Sequence, residues 1–153
     1  MREIKFRFWD KSRKKFTDYG AIHIDGNLMA RSATFGGLYD FADEEMEESI
    51  IIQQYTGLKD KNGVEIYEGD IVVQHGYIWF DDSEPNYRGT VEWVYSQWQV
   101  ITHCINPNKR GMSDGMNVGL NDDGIDEGLK SPWEVIGNIY KNPELLERIE
   151  SDE

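Results

Sequence analysis

Few side chains in this 153-residue chain have the types that do chemistry: three histidines, one cysteine and several acidic clusters. His23, His75 and His103 each fall in a strand-like stretch, and strands far apart in sequence can meet around a metal. No pair of them has strand or helix spacing, however, and no second cysteine adds a thiolate, so they read as barrel-wall or surface histidines rather than zinc ligands. "GLNDDGIDEG", residues 119–128, invites a calcium reading. With Gly124 at the sixth loop position, Asp123 and Asn121 fall correctly, but Gly119 and Lys130 occupy the two end positions that need acids. What remains is an irregular cluster of Asp122, Asp123 and Asp126 on a solvated loop.

Cys104 stands beside His103, but neighbours on a strand point to opposite faces, and a base must reach its nucleophile by hydrogen bond. His23 or His75 would have to be delivered to it by the fold. Glu68 and Asp70 flank Gly69 with the same parity and could form an acid pair. The competing reading is that an aspartate after glycine accepts turn amides. "FGGLYD" lacks the Lys-Ser/Thr ending of a phosphate loop. No catalytic group, metal or cofactor is expected, and the chain leans away from being an enzyme.

The elements that would position these residues are mostly strands. Residues 3–8 alternate, with Ile4, Phe6 and Phe8 on one face, and "DKSRKK" makes a turn. Phe16, Ile22 and Ile24 share parity as a partner strand, which completes an N-terminal β-hairpin. Residues 25–48 carry a Gly-Gly break and six acids between Asp40 and Glu48; they form either a short helix anchored by Leu38, Phe41 and Met46 or a loop with an acidic tip. "SIIIQQY" is a β-branched strand, and strands follow over 64–67 and 71–75. Between them, Asn62-Gly63 permits positive φ at a reversal. Gly69 permits the next bend, and Asp70 can satisfy its amides. Val64 and Ile66 then share one face, and Ile71 and Val73 re-enter the core. Residues 77–80 make a weaker strand.

Residues 90–102 read as a hairpin turning near Ser96-Gln97, residues 104–131 as a long Gly/Asn/Asp-rich loop, and "WEVIGNIY" as a last strand. "KNPELLERIE" changes period: Asn142 is placed as an N-cap, Pro143 as N1, and Leu145, Leu146 and Ile149 as the apolar face of a two-turn helix. Glu144 can pair there with Arg148. The expected fold is α+β, mainly β. An N-terminal β-hairpin region packs with a small β-barrel-like unit and a short C-terminal helix, in one domain over 1–153. A subdivision would fall between an α/β part at 1–48 and a barrel part at 49–153.

Composition constrains partners. No apolar run is long enough to span a membrane as a helix, and "MREIKFRFWD" alternates instead of forming a signal-peptide core. A lone cysteine excludes an internal disulfide and fits a reducing cytosol. Residues 1–20 hold seven Lys/Arg against three acids, a charge of +4, which leaves −17 on the remainder of a chain whose net charge is −13. So acidic a body disfavours nucleic-acid binding in general. The basic hairpin with Arg13, Lys14 and Lys15 suits pairing with acidic surface, on this chain or a second copy. The aromatic residues Trp79, Phe80, Trp93 and Tyr95 either fill the core or line a groove for a peptide or partner strand.

"QYTGLKDKNGVEIYEGDIV", the opening "MREIKFRFWDKSRKKF" and the closing "WEVIGNIYKNPELLE" together resemble the YopX family of phage and prophage proteins, in that family's order. The resemblance implies a protein encoded by a phage or an integrated prophage, α+β with a β-barrel-like portion and able to form homo-oligomers; with the lone cysteine, this sets it in the bacterial host cytoplasm. It implies no activity and no functional residues. Asn62, Gly63, Gly69, Asp70, Gly137, Asn142 and Pro143 are read as structural motif residues, and the charge and aromatic patterns make Arg13, Lys14, Lys15, Trp79 and Trp93 a candidate interaction surface. The function expected is a non-enzymatic, oligomeric protein-interaction module binding itself or a host or phage protein. The alternative is a nucleic-acid-linked protein, through the basic hairpin or as an acidic DNA mimic.

Overall fold

The computed structural model describes residues 3–17, 21–22, 28–31, 38–40, 50–75, 87–108, 113–120 and 131–149. The chain forms two compact units, Glu3–Gln54 and Tyr55–Glu153.

In the first unit, β1 (Phe6–Asp10) and β2 (Lys15–Thr17) make the expected antiparallel hairpin, with Trp9 opposite Phe16. Asp10 builds its turn. One carboxylate oxygen accepts from the backbone N–H of Ser12 and of Arg13, both at 2.9 Å, and from the Ser12 hydroxyl at 2.6 Å. Lys14 closes the reversal in the left-handed region at φ 51°. On its other side β1 pairs with residues 50–54 of β6 (Ile50–Lys59).

The alternation of β1 holds only in part. Ile4 is 70% exposed and Phe6 38%, while Phe8 and Trp9, adjacent in sequence, are both buried. Trp9 packs edge-on against Phe16 at 4.9 Å, and the Arg7 guanidinium lies 4.4 Å above the Phe16 ring, so the face predicted to be polar is also covered. Phe16 and Ile22 do not share a strand. Ile22 belongs to β3 (Ala21–Ile22), in a separate sheet with β4 (Leu28–Arg31) and β5 (Leu38–Asp40). Leu38, offered as a helix anchor, is in a strand; Ile24, Phe41 and Met46 lie outside the described residues.

The second unit is a curled half-barrel. Its antiparallel sheet runs β11-β10-β9-β8-β12, from β8 (Asp70–Gln74), β9 (Tyr87–Val94), β10 (Gln97–Cys104), β11 (Asn117–Gly119) and β12 (Trp133–Asn138). Residues 55–59 of β6 and β7 (Glu65–Tyr67) form a bulged pair with Tyr55 opposite Tyr67 and Lys59 opposite Glu65. Alternate residues of these strands face inward and build one core of Ile66, Val72, Val91, Trp98, Val100, Leu120 and Trp133. Each such side chain contributes about 1.5–3 kcal/mol when fully buried. Gly89 has to be small there: a Cβ would sit 2.0 Å from Val100 Cγ1.

Several expected details shift. The β9–β10 turn is Tyr95-Ser96, one residue earlier than read, with both residues left-handed at φ 49° and 65°. Val64 precedes β7 and is 49% exposed, so it does not share the burial of Ile66. In β8 the fully buried neighbours are Ile71 and Val72, whereas Val73 is half-buried, because both faces of the strand are covered at its start. The loop expected over 104–131 contains β11, and buried Thr102 anchors it. The Thr102 hydroxyl donates to the Ser113 carbonyl at 2.5 Å and accepts from the Met116 N–H at 3.1 Å.

The C-terminal helix is only a 3-10 turn, Pro143–Leu146. Asn142 precedes it without a side-chain cap. Its Oδ1 instead accepts from the Asn138 N–H at 3.3 Å. Arg148 pairs with Asp114, not Glu144, and Ile149 is 58% exposed. Among the described residues no helix is long and apolar enough to cross a membrane.

Candidate functional site

The motif residues of the second unit converge on two buried aspartates. Asp70 is 1% exposed. One of its oxygens accepts from the Tyr67 N–H at 2.8 Å and the other from the Asn138 side-chain amide at 3.3 Å. Gly69, left-handed at φ 79°, donates its N–H to the Val91 carbonyl and accepts at its own carbonyl from Ile139 N–H. Asn138 in turn accepts from Tyr140 N–H through its side chain and from Asn142 N–H through its backbone. Gly137 leaves room for this closure, since a Cβ would meet Leu145 Cδ1 at 2.7 Å and Asn142 Oδ1 at 2.9 Å. Asp70 is thus a turn carboxylate, and its two oxygens are engaged by donors, which disfavours the acid-pair reading with Glu68.

Asp60, which sequence reading passed over, is the second centre. It is 5% exposed. One oxygen accepts from the N–H groups of Asn62 and Val64 at 2.8 and 2.9 Å, and the other accepts from Val135 N–H at 3.0 Å. Lys61 N–H donates to the Trp133 carbonyl at 2.8 Å, so the Asn62-Gly63 turn is fastened along β12. Gly63 alone of that dipeptide takes positive φ, at 82°.

The titratable candidates are dispersed. His23, Asp122, Asp123, Asp126, Trp79 and Phe80 lie outside the described residues. His75 Nε2 lies 2.5 Å from Glu134, which also holds the Lys61 ammonium at 2.8 Å. The Lys61 hydrogen bond chiefly holds the Glu134 carboxyl below the usual range; burial opposes it, and the Lys61 charge and then His75 add to the lowering. His103 Nε2 is 3.1 Å from the Thr90 hydroxyl, itself 3.2 Å from Glu92. Cys104 donates its backbone N–H to Asp114, and this bond, followed by the charge of Arg148, lowers the Asp114 pKa. Among the described residues no three His, Cys, Asp or Glu side chains cluster as metal ligands.

The remaining feature is a cleft of about 290 Å3 at the tip of the β9–β10 hairpin. Thr56, Gly57 and Leu58 form one wall, and Trp93, Ser96, Gln97 and Trp98 the other. The first wall exists because β6 bulges: Gly57 is left-handed at φ 88°, and the β6–β7 register breaks between Tyr55 and Lys59. The Thr56 hydroxyl secures the bulge by donating to the Ile66 carbonyl at 2.8 Å and accepting from Leu58 N–H at 3.2 Å. On the second wall Trp93 and Trp98 are cross-strand partners, edge to face at 4.9 Å. Trp93 is 50% exposed and Tyr95 84%, whereas Trp98 is 5% exposed and its indole N–H has no acceptor among the described residues. The sequence marked Trp93 and Tyr95; it carried no signal that Thr56–Leu58, from a distant strand, would face them. Arg13, Lys14 and Lys15 are exposed at the β1–β2 reversal of the other unit.

Comparison with solved structures finds protein EF1440 from Enterococcus faecalis, 26% identical, with a TM-score of 0.55 over 96% of this chain and 100% of that one. Protein yopX from Bacillus subtilis is 23% identical, with a TM-score of 0.57 over the same shares, a likeness of fold. No curated protein matches. The family model described as YopX protein matches residues 5–147, a span that holds the Asp10 hairpin, both buried aspartates and the Asn138–Asn142 closure: the chain belongs to the YopX family.

Proposed function

We propose that this protein is a non-enzymatic protein-interaction module of a phage or prophage, acting in the bacterial host cytoplasm and assembling with copies of itself. The observation that carries the reading is the exposed aromatic tip of the second unit, Trp93 and Tyr95 beside an open cleft. Large aromatic side chains left in water favour a partner that covers them. The separate engagement of His75 with Glu134 and of His103 with Thr90 supports a binding role over catalysis. Assembly is supported by charge: an exposed basic turn with Lys11, Arg13, Lys14 and Lys15 on a chain of net charge −13 complements the acidic surface of a second copy. Such pairing is screened by salt over about 8 Å at physiological ionic strength. Light scattering at low and high salt tests it: assemblies at low salt should dissociate at high salt, and a monomer under both conditions refutes self-association.

The same exposed turn supports a second reading, in which it contacts nucleic acid. A gel shift that is lost when Arg13, Lys14 and Lys15 are replaced by alanine would favour it. The acidic remainder of the chain argues the other way.

A further inference from the structure

The Asn62-Gly63 dipeptide carries a reactivity that the interaction reading does not use. Asparagine is among the thermolabile residues, and of the asparagines in this chain only Asn62 is followed by glycine. Both residues are exposed. Gly63 has no side chain to shield its amide nitrogen, and a Cβ built there would meet nothing within 4 Å. That nitrogen can attack Cγ, the side-chain carbonyl carbon of Asn62. A bond forms between Gly63 N and Asn62 Cγ, the Cγ–Nδ2 bond breaks, and ammonia leaves with the Gly63 amide proton. Water then opens the cyclic imide at either carbonyl. The product is aspartate, or isoaspartate with its backbone running through Cγ. Water is the sole co-reactant, and nothing is oxidised or reduced.

The fold holds this reaction back. Gly63 N–H donates to the Asp60 carbonyl at 3.0 Å, which engages the attacking nitrogen. The N–H groups on either side of it, of Asn62 and Val64, donate to Asp60 Oδ1 at 2.8 and 2.9 Å. Asp60 N–H donates back to the Val64 carbonyl at 2.8 Å, so the turn is closed on one buried aspartate. Ring closure requires the Gly63 nitrogen to leave its acceptor, and it therefore proceeds from a locally open turn. A slow chemical step that follows fast opening tracks the open population. The products act back on the same contacts. Either one places a second carboxylate close to that of Asp60. Isoaspartate also adds a carbon to the backbone between the two N–H groups that Oδ1 accepts. Both changes weaken the grip that carries Val135 N–H on Asp60 Oδ2 and Lys61 N–H on the Trp133 carbonyl.

We propose that Asn62 is a site of spontaneous deamidation, restrained by Asp60 while the turn is closed, and that its conversion loosens the turn from β12. Peptide-mapping mass spectrometry of the full chain aged at mildly alkaline pH tests this. Asn108, also exposed but followed by lysine, is the internal reference. In guanidinium chloride Asn62 should convert well ahead of Asn108. In the folded protein it should convert at least about tenfold more slowly than in the unfolded chain, the worth of one hydrogen bond in the closed turn. Asp60→Ala, aged under conditions where it stays folded, should regain most of the unfolded rate. Gly89→Ala destabilises through its clash with Val100 and leaves the turn intact, so it should keep the wild-type rate at Asn62. That comparison separates loss of the local grip from a general loss of stability. If Asp60→Ala fails to fold, Asp60→Asn, which keeps an acceptor oxygen without the charge, takes its place with a smaller acceleration. Converted protein, separated by ion exchange, should show faster amide exchange at Val135 and Lys61 than unconverted protein. Equal rates at Asn62 in folded and unfolded chains, no conversion in guanidinium chloride, equal acceleration by Gly89→Ala, or unchanged exchange in the converted protein overturns the proposal.

Discussion

Replacing Asp60 by alanine should destabilise the second unit by about 3 kcal/mol, out of a total typical for such domains of about 5–15 kcal/mol. The figure comes from the three backbone N–H groups that its carboxylate accepts, from Asn62, Val64 and Val135. A hydrogen bond to a charged group is worth about 1.5–3 kcal/mol. Asn62 and Val64 are exposed, so water replaces most of what they lose. Val135 is half-buried against the core, and its N–H bears most of the cost. The loss is therefore close to one fully charged bond plus a remainder for the turn, not three bonds. Equilibrium urea unfolding followed by tryptophan fluorescence would measure it, and amide exchange would locate it. Exchange should accelerate at Val135 and at Lys61, whose N–H bond to Trp133 depends on the same turn. A loss below about 1 kcal/mol, or unchanged exchange at Val135, would refute the argument that Asp60 fastens the turn to β12.

Gly89→Ala should destabilise by about 1–3 kcal/mol or more through overpacking, because its Cβ would lie 2.0 Å from Val100 Cγ1. Val100→Ala should relieve that clash, so the double variant should be more stable than the sum of the two single changes predicts; urea unfolding of the four proteins checks this. Asp114 and Glu134 have pKa values lowered in the folded state, Asp114 chiefly by the Cys104 N–H and Glu134 chiefly by Lys61. A depressed folded pKa stabilises above the unfolded value and is lost as pH falls through the folded one. Stability should therefore fall on acidification below the ordinary carboxylate range, and less steeply in Asp114→Asn and Glu134→Gln, as read by thermal unfolding across that range.

What could be read from sequence, and what could not, follows from the distance over which each feature is decided. The β9–β10 hairpin was legible because Val91, Val100 and Trp98 alternate with polar neighbours, and alternation is a local property. Its turn was placed one residue late, because Tyr95 and Ser96 enter the left-handed region without glycine to announce it. The role of Asp70 was legible, since its Tyr67 donor lies three residues away. That of Asp60 was only half so: its turn partners are local, but Val135 is 75 residues distant. The Asn142-Pro143 start signal was present and lost a competition. Asn138 N–H takes the Asn142 oxygen, and so short a segment does not repay helix nucleation.

The cleft illustrates the same rule in reverse. Thr56–Leu58 and Trp93–Trp98 meet only through tertiary structure, so neither stretch announced the site by itself. The densest motif in the chain, running through Asp60, Gly63, Gly69 and Asp70, uses its polar atoms to satisfy its own turns and those of Gly137–Asn142. Such residues identify a fold for the reason that they make poor ligand contacts: their donors and acceptors are already engaged. Trp98 is the opposite case, a core residue by packing whose one polar atom the described fold leaves unused.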